Sequence, residues 1–85
     1  MSISIFNNDF LLRLREVYDD YRINEAVIRQ GYNVDYPYIM DLYDDDMEVI
    51  KSINVQMMIT MASSGIHMSI HDDYGRITVV SKIFI

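Results

Sequence analysis

The sequence predicts one α+β domain spanning residues 1–85, in which an N-terminal helix packs on a small C-terminal antiparallel sheet of three to four strands. Two observations predict it. Apolar residues in the first third recur at helical spacing, whereas those after residue 53 alternate with polar ones. The composition, 51% hydrophobic and 24% charged, suits a folded globule rather than a disordered tail. At this length a second domain does not fit.

Residues 8–30 read as the helix. Phe10, Leu14, Val17 and Tyr21 stack on one face at spacings of four, three and four, with Leu11 and Tyr18 beside them. Asn7 or Asn8 supplies a side-chain acceptor for an orphan N–H at the start. Gly31 closes the end. Asp19, Asp20 and Asn24 are the places where this helix could divide in two.

Residues 36–46 read as a second, short helix. Pro37 sits where its missing N–H is harmless, and Ile39, Tyr43, Met47 and Ile50 keep helical spacing. The competing reading makes Tyr38, Met40 and Leu42 an extra strand and Asp44-Asp45-Asp46 a turn.

From Ile53 onward the period is two. Ile53, Val55, Met57, Ile59 and Met61 form one set, Ile66, Met68 and Ile70 a second, and Ile77, Val79 and Ile83 a third. Ser63-Ser64-Gly65 and Asp72-Asp73-Tyr74-Gly75 carry turn chemistry between them. The helix is expected to cover the Ile53/Val55/Met57/Ile59 face, so that Ile59→Asp would unfold the domain. Ile3 and Ile5 could add an edge strand.

The formal net charge of −6 is concentrated. Residues 31–50 hold Asp35, Asp41, Asp44, Asp45, Asp46 and Glu48 without a single Lys or Arg, and four of the seven tyrosines, Tyr32, Tyr36, Tyr38 and Tyr43. Elsewhere acids and bases balance. With seven scattered bases and no basic run, direct nucleic-acid binding is not expected. The N-terminus lacks a basic leader, and no apolar run approaches the roughly 18 residues of a spanning helix, so no membrane role and a cytoplasmic location are expected.

Several chemistries are excluded or weak. There is no cysteine, which removes disulfides, thiolate metal sites and cysteine nucleophiles. The aspartates of 41–48 lack the spacing and glycine of a calcium loop. His67 and His71 fall on a strand, where four residues span about 13 Å, too far to share one ion. Neither Ser63 nor Ser64 lies in a nucleophile elbow. No cofactor, no metal and no catalysis are expected.

What remains is a non-enzymatic, protein-binding module. Tyrosine gives large contact area at low entropic cost, and clustered carboxylates steer a basic partner. The expected contact residues are Tyr36, Tyr38, Asp41, Tyr43, Asp44, Asp45, Asp46 and Glu48. The partner class is a protein with a basic, nucleic-acid-handling surface, which this module would inhibit or modulate. Wholesale mimicry of a duplex is beyond it. A globule about 30 Å across matches DNA carrying roughly 18 phosphates, more than thirteen partly offset acids supply. The abundance of Ile, Asp, Tyr and Met, with two alanines, is in the style of small acidic phage host-takeover proteins and favours the inhibitor reading. The alternative is a self-assembling structural subunit that forms homo-oligomers through the apolar C-terminal strand around Lys82-Ile83-Phe84-Ile85.

Overall fold

The structure is a computed structural model that describes residues 2–5 and 7–81, with side chains as far as residue 78. It corrects the expected fold class. The chain is mostly sheet, 53% strand and 13% helical, built as a six-stranded antiparallel sheet curled into a half-barrel with one short helix. The strands are β1 (Ser2–Ile5), β2 (Glu25–Gln30), β3 (Tyr38–Tyr43), β4 (Val49–Ala62), β5 (Gly65–Asp72) and β6 (Ile77–Ser81), in that spatial order. The helix α1 (Asn8–Val17) joins β1 to β2.

The helix starts where its cap is. Asn7 is extended, and its side-chain oxygen accepts from the Phe10 N–H at 3.0 Å. It ends thirteen residues before the expected boundary, at Val17 instead of residue 30. Tyr18 leaves helical geometry and Asp19 takes the left-handed conformation at φ 50°, which a short polar side chain tolerates. The downstream half of the expected helix is strand β2. Ala26 and Ile28 point into the core between β1 and β3, pairing Ile5 with Ala26 and Ile28 with Met40. Tyr21, assigned to the helical stripe, is 80% exposed in the loop instead.

The expected helix over 36–46 is also overturned. Tyr38–Tyr43 is a central strand whose Met40 and Leu42 are fully buried, and Asp44-Asp45-Asp46 is the turn after it. Alternation on a two-sided strand beat the i, i+4 spacing, and Met47, one of the residues that fitted a helix, sits left-handed at φ 61°.

The concave face of the sheet receives Phe10, Leu11 and Leu14 of α1 against Ala26, Ile28, Met40, Leu42, Ile53, Val55 and Ile70. The helix also contacts β6, which draws the far edge of the sheet around it. This filling is confined to one end. Ile53 and Val55 are buried as expected, Met57 is half-buried, and Ile59 is 69% exposed. The helix therefore does not cover the whole Ile53–Ile59 face. At the uncovered end, Ile3, Ile28, Arg29, Gln30, Tyr38 and Met57 line an apolar groove of about 380 Å³. The C-terminal segment Lys82-Ile83-Phe84-Ile85 lies outside the described residues.

Candidate functional site

The antiparallel sheet splits the expected contact surface in two. Tyr36 and Tyr38 stand at the end shared by the β2–β3 loop and the β4–β5 turn, while Asp44, Asp45, Asp46 and Glu48 stand at the opposite end. The strand between them, Tyr38 to Tyr43, is about 17 Å long. The structure thus brings Tyr43 and the four turn acids together and leaves Tyr36 and Tyr38 apart from them. Tyr38 also lies on the core face, paired with Gln30 and Val55.

Asp41 belongs to neither end. It sits mid-sheet on the convex face between Val27 and Ser52, with its side chain 7% exposed. Arg29 donates from Nε to its Oδ2 at 2.7 Å and from Nη2 to its Oδ1 at 3.4 Å, and the Ser52 hydroxyl donates to Oδ1 at 2.6 Å. Burial pushes the carboxyl pKa up, but the hydrogen bonds from Arg29 and Ser52 outweigh it and hold the group below the usual carboxylate range. Both carboxylate oxygens are taken up by Arg29 and Ser52 on the neighbouring strands, which makes Asp41 a brace of the sheet. It is the one expected contact residue that is buried.

The acidic turn is rigid for a local reason. Asp44 Oδ1 accepts from the N–H groups of Asp46 at 2.9 Å and Glu48 at 3.0 Å. The Asp44 N–H donates to the Glu48 carbonyl, and the Met47 N–H to that of Asp44. One carboxylate therefore fixes the turn and leaves Asp45, Asp46 and Glu48 exposed. Among the described residues none of these three makes an ion pair. Of the two arginines that share a cleft with the turn, Arg22 is paired with Asp20 at 2.7 Å and Arg15 donates to the Ile23 carbonyl. Hydrogen bonds from Arg22 hold the half-buried Asp20 carboxyl down at about 2.

Facing this turn is the loop after α1. The Asn24 N–H donates to the Tyr43 carbonyl at 2.8 Å, and Arg15 Nε donates to the Ile23 carbonyl at 2.7 Å. These bonds bring Arg15, Tyr21, Arg22, Ile23 and Asn24 opposite Asp44, Asp45 and Asp46 across a shallow cleft of about 370 Å³. Sequence reasoning missed the loop side of this cleft. Its signal was the Asp19-Asp20…Asn24 break, which was legible as a break but not as a wall.

The loop is anchored from behind by Tyr18. Its hydroxyl donates to Asp72 Oδ2 at 2.6 Å. Asp72, 2% exposed, accepts through Oδ1 from the N–H groups of Tyr74 and Arg76 and so closes the β5–β6 turn. Burial, then the hydrogen bond to Asp72, push the Tyr18 phenol far above its ordinary range. Lys51 and Arg76 lie over the Tyr18 ring at 5.6 and 5.4 Å. On β5 itself, His67 Nε2 meets Ser64 Oγ at 2.9 Å and His71 Nε2 meets Ser69 Oγ at 3.1 Å, each imidazole with its own hydroxyl.

Among the described residues no helix is long and apolar enough to cross a membrane. Comparison with protein-family models, curated proteins and solved structures finds no match for this chain.

Proposed function

We propose that the protein is a small non-enzymatic binding module that engages the basic surface of a nucleic-acid-handling partner and inhibits or modulates it, in the cytoplasm. The observation that carries this reading is the braced turn with exposed, ion-pair-free Asp45, Asp46 and Glu48. A preorganised surface loses little entropy on binding, and uncompensated carboxylates raise the association rate with a cationic face. Exposed Tyr21 and Met47 beside them add apolar contact area. Relative to the expected surface, the contact is narrowed to Tyr21, Tyr43, Asp45, Asp46, Met47 and Glu48, with Asp44 as its internal brace.

The test is retention of proteins from host lysate on the immobilised chain at low and high salt, followed by titration of the retained protein. The triple variant Asp45→Asn, Asp46→Asn, Glu48→Gln keeps the Asp44 brace. Three rim charges at about 0.2–1 kcal/mol each amount to roughly 3- to 150-fold in Kd. Duplex DNA should compete for the retained protein. Equal binding by the triple variant, or binding indifferent to salt, refutes the assignment.

A further inference from the structure

At the other end of the sheet, strand lengths do not match. β3 pairs with β4 only as far as Tyr38 opposite Val55, where the chain turns away at Pro37. β4 runs on for seven more residues, Gln56–Ala62, paired with β5 alone. Among the described residues, the backbone of 56–62 makes no hydrogen bond on its β3 side. This is an open edge in the middle of the fold. Among the described residues none of the usual protections of an edge is present along 56–62, neither a lysine, nor a proline, nor a bulge, nor a covering segment. The whole stretch from Ser52 to His71 lacks Asp, Glu, Lys and Arg. Exposed apolar side chains stand on both faces of this edge, Ile59 and Met61 on one and Met58, between Gln56 and Thr60, on the other.

We propose that this edge pairs with the same edge of a second copy, joining two sheets through antiparallel β4 strands about a two-fold axis. Three features select a second copy over a foreign strand. First, two-fold antiparallel pairing of one segment with itself is complementary by construction, and residues opposite each other share a face. The register centred on Ile59 pairs all seven residues. It sets Ile59 against Ile59, Met57 against Met61 and Met58 against Thr60, so apolar groups meet on the concave face. Second, a chain of net charge −6 repels its copies, and this edge brings them together through a segment without Asp, Glu, Lys or Arg. Ten residues of β4 separate Val49, beside the acidic turn, from Ile59, about 33 Å, several times the Debye length of roughly 8 Å. Third, a charge-free edge offers nothing to steer the basic partner proposed for the opposite end. The expected self-association through the C-terminal strand is thereby moved to a different strand, and it does not depend on the acidic turn.

The experiment is sedimentation equilibrium of the whole chain over a wide concentration range, with amide hydrogen exchange on the same samples. The wild type should reach twice the 10.0 kDa chain mass. Alternate amides within 56–62 should gain protection as the mass rises and lose it on dilution. Ile59→Lys places two like charges across the axis and should stay at the monomer mass while remaining folded by circular dichroism. Asp45→Asn should dimerise like the wild type. A wild type that stays monomeric at every concentration overturns the proposal. So does a dimer that survives Ile59→Lys, or protection in 56–62 that ignores concentration, a readout that stands even if the variant fails to fold.

Discussion

Replacing Tyr18 by Phe removes one hydroxyl and little else. The ring keeps its place between Lys51 and Arg76, because those contacts are to the π face. What is lost is the 2.6 Å bond to Asp72, whose Oδ2 is then left in a 2% exposed residue without its donor. Hydrogen bonds to charged groups contribute about 1.5–3 kcal/mol, so a loss of about 2 kcal/mol is expected. For a domain of this size that lowers Tm by roughly 10 °C. The pH dependence has a definite sign. The folded pKa of Tyr18 is raised, so its contribution is fully present below the unfolded value of about 10 and is lost as pH rises beyond it. Wild-type stability should therefore fall more steeply than that of Tyr18→Phe above about pH 10. Urea unfolding at neutral and alkaline pH measures both. A variant within about 0.5 kcal/mol of wild type at pH 7, with the same alkaline slope, would mean that Tyr18 does not anchor the loop behind the cleft.

Three further outcomes test the architecture. Leu14→Ala, at a fully buried position, should cost about 2–5 kcal/mol, whereas Ile59→Asp should cost under about 1 kcal/mol; urea midpoints that reverse this order contradict the half-filled concave face. Asp41→Asn should cost about 2 kcal/mol at neutral pH. Because the folded pKa of Asp41 is depressed, its contribution is present above the unfolded value near 3.9 and lost as pH falls below it, so acid titration of stability should be shallower in Asp41→Asn. Gly31→Ala brings a methyl within 2.9 Å of Ile39 Cγ1 and should destabilise by about 1–3 kcal/mol; in an Ile39→Ala background the same change should be nearly neutral, as a double-mutant cycle would show.

The parts of the fold that sequence reading found are those set by neighbours along the chain. Alternation from Ile53 to Ile70 and the polar breaks at Ser63-Ser64 and Asp72–Gly75 are local, and β4 and β5 meet across the first of them. The failures are non-local. Glu25–Gln30 contains good helix formers, and only β1 on one side and β3 on the other make it a strand. Residues 36–46 satisfied both periods at once, and burial of Met40 and Leu42 decided between them. The Asp41–Arg29 pair spans twelve residues, and the Tyr18–Asp72 bond fifty-four. Neither is readable before the register is known. Asp41 was grouped with the turn acids by proximity in sequence, although pairing with Ser52 puts it under an arginine on the convex face.

The mismatch between a six-residue β3 and a fourteen-residue β4 connects the two proposals. Had β3 extended alongside all of β4, the edge would be sealed, and the exposed Ile59 and Met61 would need another reason. Instead Pro37 stops β3, and the β4–β5 hairpin projects beyond the helix-filled core, consistent with a longest dimension of 38 Å in so short a chain. Charge follows the same axis. Every acid of the β3–β4 turn lies at the core end, and the projecting end has no formally charged residue between Lys51 and Asp72. Pairing of two hairpins would then direct both acidic turns outward, presenting two equivalent sites to a basic partner. If the dimer forms, binding to a partner with two basic surfaces should be tighter for wild type than for Ile59→Lys, while binding to a single basic surface should be unchanged. Equal loss on both partners would show that Ile59→Lys disturbs the acidic turn itself, and would break the separation of the two ends.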